Sequence, residues 1–137
     1  MYLIGFPLLV IPFAIYNMIA FLMPGVAWTD AITSINLTSG ATWSVTAEDM
    51  LLGLAVTLLP LEILKATRIG VRSVVDHVLS MVVFVIMLIE FLLVRQAGTS
   101  TFFLLMMISV VDVLGGFIIT LRTAQRDMTV ERVESVS

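Results

Sequence analysis

Four long apolar stretches fill most of this 137-residue chain, and three of them carry an acidic residue far from their ends. Each stretch has about the length that a helix needs to cross the hydrocarbon core of a bilayer, roughly 20 residues. Because 60% of the residues are hydrophobic, little of the chain is left for a soluble domain. The pattern predicts an all-α membrane protein, a single domain of four transmembrane helices in an antiparallel bundle. The predicted spans are residues 2–23, 48–70, 73–95 and 100–122.

Basic residues are unevenly distributed among the connections between these spans. Arg95 alone lies near the connection between the third and fourth spans, whereas six basic residues lie near the connection between the second and third spans or near and after the end of the fourth: Lys65, Arg68, Arg72, Arg122, Arg126 and Arg132. Because positive residues near span ends stay on the cytoplasmic side, both termini, including the tail 123–137, are predicted to be cytoplasmic. The pattern fits a bacterial inner membrane and also fits eukaryotic membranes. The inner-face group Lys65, Arg68 and Arg72 is mainly a topology signal.

The first extracytoplasmic loop, residues 24–47, is longer than a simple turn and alternates apolar with polar residues. A three-residue turn at 38–40, with its glycine left-handed, would pair Ile35 with Trp43 and place both apolar rows on one face. This favours a short β-hairpin. An irregular loop in which Trp28 and Trp43 act as interfacial anchors fits the pattern equally well.

The start of the second span has the residues of a helix N-terminus. Thr46 can cap the helix, and Glu48 and Asp49 follow in its first turn. Acidic side chains there interact favourably with the positive end of the helix dipole. We therefore assign these three residues a structural role.

Polar residues recur at increasing depth within the apolar stretches. With a rise of about 1.5 Å per residue, they follow one another outward in steps of roughly 5–10 Å. An acidic residue at the centre of a span costs about 2.5–3.5 kcal/mol on insertion scales, and ionisable residues within spans therefore mark candidate functional sites. Bridged by water, they could relay protons or hold a cation. In order of depth the candidates are Asp76 with His77, then Glu62, then Asp112, and finally Glu90 with Asn17.

Structural interpretations compete with this relay. Glu62 has Lys65 one turn further on, which favours an ion pair. Asp112 has no basic residue at its depth, so it is expected to be protonated, hydrogen-bonded or facing water. It could carry protons or could equally serve as packing glue.

The remaining candidates have ordinary explanations as well. Glu90 lies near enough to the surface to be hydrated, and Asp76 and His77 fit an interfacial helix start. On the fourth span, Ser109, Gly115 and Gly116 share the helix with Asp112 and predict close packing against other helices.

Several kinds of chemistry are excluded or disfavoured. The chain has no cysteine, which rules out disulfides and thiolate chemistry, and it has one histidine, which rules out a bis-histidine haem within one chain. No catalytic motif and no basic patch for nucleic acid is present. We therefore expect no catalytic residue, no cofactor and no metal.

Two functions fit these features. The favoured hypothesis is a non-catalytic subunit that sits in the lipid bilayer and assembles with itself or with a larger membrane complex. The alternative is an oligomeric channel or transporter that is linked to protons or cations through the intramembrane acids. A membrane enzyme ranks below both.

Overall fold

A computed structural model describes residues 6–67 and 71–136; of residues 71–73, 123 and 127 it describes the backbone alone. The described chain is mostly helical, as predicted, and it contains the predicted hairpin. Its elements in chain order are α1 (Val10–Leu22), β1 (Ala31–Asn36), β2 (Thr42–Thr46), α2 (Ala47–Lys65), α3 (Val71–Leu93), a short 3₁₀ helix (Arg95–Ala97) and α4 (Ser100–Val136).

Two of the described helices are long and apolar enough to cross a membrane: Val74–Leu93 within α3, and α4. Helix α1 is apolar but has only 13 residues. Helix α2 has 19 residues, of which four are charged: Glu48, Asp49, Glu62 and Lys65. The core helix of a soluble protein can be equally long and apolar, so two such helices are weak support for a membrane protein. Helix length and composition therefore do not establish the four-span bundle.

The described part of the first apolar stretch is not helical from its beginning. Helix α1 starts at Val10, and Pro12 lies in its first turn. Proline is tolerated there because the first N–H groups of a helix have no partner within the helix. Predicted span 2–23 thus contains a helix that begins after Pro7, while residues 1–5 lie outside the described chain.

The hairpin has the predicted register and turn. Ile35 lies opposite Trp43 in an antiparallel pair, and the Leu37 N–H donates to the Ala41 carbonyl at 2.8 Å. Gly40 has a φ of 89°, in the region that glycine adopts without steric penalty. The alternative of an irregular loop is therefore wrong.

The hairpin runs directly into α2 through a capping box. The Asp49 N–H donates to Thr46 Oγ1 at 3.2 Å, and the Thr46 N–H donates to Asp49 Oδ2 at 3.0 Å. These two bonds satisfy two backbone donors that the helix start would otherwise leave free. Because no linker separates β2 from α2, the hairpin is held close to the helical bundle.

Contacts between helix ends show that successive helices run in opposite directions. The segment before α1 meets the end of α2, where the Leu8 N–H donates to Glu62. The start of α3 lies at the same end of the bundle. Gly116 of α4 lies close both to His77, near the start of α3, and to Ala66, which directly follows α2. At the opposite end, Asn17 near the end of α1 approaches Glu90 near the end of α3.

An aromatic core fills the end of the bundle nearest the hairpin. Tyr16 and Phe102 are fully buried, and their ring centroids are 4.9 Å apart in an edge-to-face arrangement. Trp28 stacks on the other side of this core, with its ring centroid 4.7 Å from that of Tyr16. These rings join α1, α4 and the chain after α1.

Candidate functional site

Helices α2, α3 and α4 meet around a small polar cavity at the end of the bundle away from the hairpin. Its volume is about 10 Å³, room for roughly one water molecule. Its three acidic side chains are buried, with 5–6% of each residue exposed. We call Glu62, Asp76 and Asp112 the acid cluster. The cavity is lined by Glu62, Ala66, Asp76, His77, Ser80, Asp112 and Gly116.

Helical spacing on α3 and α4 places these side chains at the cavity. Asp76 and Ser80 are four residues apart on α3, and Asp112 and Gly116 are four apart on α4. Residues at this spacing lie on one face of a helix, one above the other. Each helix therefore turns one carboxylate, and beside it a hydroxyl or a glycine, towards α2.

The two predicted packing glycines are both used within this chain. A Cβ added at Gly116 would lie 3.3 Å from His77 Nδ1, and one at Gly115 would lie 3.4 Å from Ile63 Cδ1. Gly116 thus lets α4 approach the histidine ring, which also packs on Phe117 with ring centroids 5.9 Å apart.

Glu62 is tied into a network that fixes the start of α1. Lys65 Nζ lies 3.2 Å from Glu62 Oε1, and the same oxygen accepts the Leu8 N–H at 2.5 Å. Lys65 Nζ also donates to the Phe6 carbonyl at 2.6 Å. A carboxylate at a helix N-terminus interacts favourably with the helix dipole. The Glu62–Lys65 pair therefore has a structural task besides facing the cavity.

The other two acids of the cluster have fewer partners. The Ser80 hydroxyl hydrogen-bonds to the Asp112 carboxyl, on which Glu62 and Lys65 also act electrostatically. Among the described residues, neither carboxylate oxygen of Asp76 has a hydrogen-bond partner. A buried polar group without a partner is destabilising. Within this cluster, Asp76 is therefore the side chain that a bound proton, water molecule or cation would stabilise most.

Glu90 and Asn17 form a separate group at the hairpin end. Asn17 Nδ2 lies 3.4 Å from Glu90 Oε2, and both residues are half-buried. Between this pair and the acid cluster, α3 and α4 contribute Met87 and Leu105, each only 1% exposed. The residues predicted as one series by depth are therefore divided into two groups with an apolar layer between them.

The remaining predicted residues lie elsewhere. Ser109 is buried one turn before Asp112 on α4. Trp28 packs into the aromatic core, whereas Trp43 is 47% exposed on the hairpin. Arg68 lies outside the described residues, as does the side chain of Arg72.

Tyr16 is a structural anchor that the sequence reasoning missed. Its hydroxyl donates to the Gln96 carbonyl at 2.7 Å and lies 2.8 Å from Thr99 Oγ1. The available signal was a tyrosine within an apolar stretch, because a buried phenol needs a hydrogen-bond partner.

In the described chain no group of three or more histidine or acidic side chains is arranged to hold a metal ion.

The sequence matches no protein-family model, and comparison with curated proteins and with solved structures found no match.

Proposed function

We propose that this chain is an integral membrane protein that crosses the bilayer four times, and that its acid cluster takes up and releases protons in proton- or cation-linked transport. The observation that carries the proposal is the buried carboxylate of Asp76, which has no partner among the described residues and lines the same cavity as Asp112 and Glu62.

The exposed surfaces of the helices support insertion in a membrane. The core helix of a soluble protein is mostly buried. In an apolar stretch of 18 residues, by contrast, only 17% is buried in α3 and 33% in α4. Large apolar side chains such as Leu92 and Leu93 are 69% and 79% exposed. Apolar surface of this extent needs a lipid or protein cover.

Helices α1 and α2 belong to the same antiparallel bundle, so they would share its depth in the bilayer. The 13 residues of α1 give about 20 Å of helix, and the segment from Phe6 extends it. The two charges of α2 that lie at depth, Glu62 and Lys65, neutralise each other. Pairing of this kind is how ionisable residues are accommodated within membranes.

Charge explains why the acid cluster would bind protons. Three carboxylates line the cavity, and among the described side chains one of them, Glu62, forms an ion pair with Lys65. In a poorly solvated site, carboxylates that repel one another favour uptake of a proton or a small cation. His77 and Ser80 supply groups through which a proton can pass between Asp76 and Asp112.

The apolar layer at Met87 and Leu105 separates this cluster from Glu90. Transport by this arrangement therefore requires either a second conformation or a path between copies of the chain. In the proposed topology, with both termini cytoplasmic, the acid cluster opens towards the cytoplasm and Glu90 towards the other side.

Proton flux into liposomes that contain the purified protein tests this proposal. We expect a flux that Asp112→Asn and Asp76→Asn each reduce to near the level of empty liposomes, because each substitution removes a proton acceptor but keeps the side-chain volume. Asp30→Asn is the matched control, since Asp30 is exposed outside the cluster. Wild-type flux in both cluster variants would contradict the proposal.

Assembly with other membrane helices remains a second proposal, and α2 offers a surface for it. Gly53 has no neighbour within 4 Å of an added Cβ, and the exposed Thr57 donates back to the Gly53 carbonyl at 2.8 Å. Small residues four apart let membrane helices approach closely. Gly115, Gly116 and Ser109 already pack against other parts of this chain. The exposed face of α2 at Gly53 and Thr57 is therefore the better candidate for contact with another helix.

Oligomer mass in mild detergent, measured together with proton flux, separates the two functions. If assembly is the task, Gly53→Leu shifts the protein towards the monomer, Asp112→Asn leaves its mass unchanged, and neither wild type nor variant conducts protons. Unchanged mass in Gly53→Leu would exclude this face of α2 as the contact.

A further inference from the structure

We propose that a cleft at the hairpin end of the molecule binds a small organic ammonium ion. The cleft has a volume of about 560 Å³, within the usual range for small-molecule sites of roughly 300–1,000 Å³. It lies between the segment that follows α1, the first turn of α2 and the start of α4. It is separate from the acid cluster, and the proposal does not depend on proton transport.

The charge of the cleft favours a cation. Glu48 is the one charged side chain among the residues that line it, all of which the structure describes. Gln96, Thr99 and Thr101 add an amide and two hydroxyls. A lone carboxylate with neutral polar neighbours attracts a positive ligand and repels an anion.

The apolar part of the wall favours an organic cation over a bare metal ion. Trp28 lines the cleft together with Met23 and Val26. The cleft has a single carboxylate, which balances one positive charge and not the two of a divalent metal ion. A carboxylate beside an indole is instead suited to an ammonium group with alkyl substituents.

Contacts with α1, the 3₁₀ helix and α2 hold the floor of the cleft in place. The Trp28 ring stacks on Tyr16 with an interplanar angle of 5°, and the Tyr16 hydroxyl bonds to Gln96 and Thr99. The Glu48 N–H donates to the Trp28 carbonyl at 3.1 Å. The carboxylate-bearing residue is therefore fixed beside the aromatic one before a ligand arrives, which lowers the entropic cost of binding.

Two sources could supply this ligand chemistry: the ammonium headgroup of a phospholipid, or a free amine in solution. Both would place a cationic nitrogen near Glu48 and alkyl groups against Trp28.

Trp28 fluorescence provides the test. The variant Trp43→Phe leaves Trp28 as the single tryptophan, and it is placed in nanodiscs of phosphatidylglycerol, which lacks an ammonium group. We expect tetraethylammonium chloride to change the fluorescence saturably, and sodium chloride at the same ionic strength not to do so. Glu48→Gln should weaken the apparent affinity by about tenfold or more, because it removes the charge that pairs with the ligand.

Asp49→Asn is the matched control, because it removes a neighbouring charge while its amide oxygen can still accept the Thr46 N–H. A response that is not saturable, or an equal loss of affinity in Asp49→Asn and Glu48→Gln, would overturn the proposal. Repeating the titration in nanodiscs in which half of the phosphatidylglycerol is replaced either by phosphatidylethanolamine or by an uncharged glycolipid identifies the source at equal surface charge. A weaker apparent affinity with phosphatidylethanolamine means that the lipid headgroup competes for the cleft, and an equal affinity means that the site takes a free amine.

Discussion

At the scale of single residues, the packing around the acid cluster depends on a glycine. Gly116 allows α4 to lie against His77, with 3.3 Å between its absent Cβ and the ring nitrogen. Gly53 on α2 is also helical, but nothing lies within 4 Å of its absent Cβ. Two glycines in comparable backbone conformations therefore have opposite structural importance.

Substituting leucine at both positions tests this contrast. Gly116→Leu should lower the free energy of unfolding by about 2 kcal/mol, because it overpacks a closed helix contact. Gly53→Leu should leave it unchanged or raise it by roughly 0.5–1 kcal/mol, because leucine is the better helix former. Unfolding of the monomeric protein in mixed micelles measures both values, and an equal effect at the two sites would contradict the assigned packing.

At the scale of the elements, local sequence explains where α2 begins and where the hairpin turns. Thr46 and Asp49 cap α2 reciprocally, and Gly40 provides the left-handed turn of the hairpin. These interactions involve residues that are close in sequence, so their geometry follows from residue type and spacing. For that reason the hairpin register and the α2 cap were predictable.

Thr46→Ala should destabilise the protein by about 1 kcal/mol, because it leaves the Asp49 N–H without its acceptor. Thr42→Ala on the exposed part of β2 is the control, because its hydroxyl bonds only to the exposed Asn36 side chain. Thermal unfolding followed by circular dichroism compares the two variants. A loss in Thr42→Ala as large as that in Thr46→Ala would show that the capping box is not the cause.

At the scale of the whole molecule, the proposed four crossings place the hairpin turn and the two ends of the described chain on opposite sides of the membrane. Successive helices run in opposite directions, as shown by the contacts of Leu8 with Glu62 and of Asn17 with Glu90. The natural chain has no cysteine, so a single introduced thiol reports on one position.

Labelling of intact cells with a membrane-impermeant maleimide tests this topology. We expect Ser39→Cys in the hairpin turn to react directly, whereas Phe6→Cys and Ser135→Cys should react only after the cells are permeabilised. Labelling in denaturant confirms that each thiol is present. Direct reaction of Ser135→Cys together with Ser39→Cys would rule out three crossings by α2, α3 and α4, and direct reaction of Phe6→Cys would rule out a crossing by α1.

The sequence by itself determined the helical class and the cap of α2, because these depend on apolar run length and on interactions between near neighbours. It also specified the register that a hairpin would have, and the structure decided for the hairpin over an irregular loop. The sequence also identified Asp76, His77, Glu62 and Asp112 as candidate polar residues of the predicted spans. Only the tertiary structure decided that these four share one cavity, that Glu90 and Asn17 form a separate pair, and that Glu62 holds the start of α1. The physical reason is that such contacts join residues of different helices, and they depend on how each helix is rotated and packed against the others.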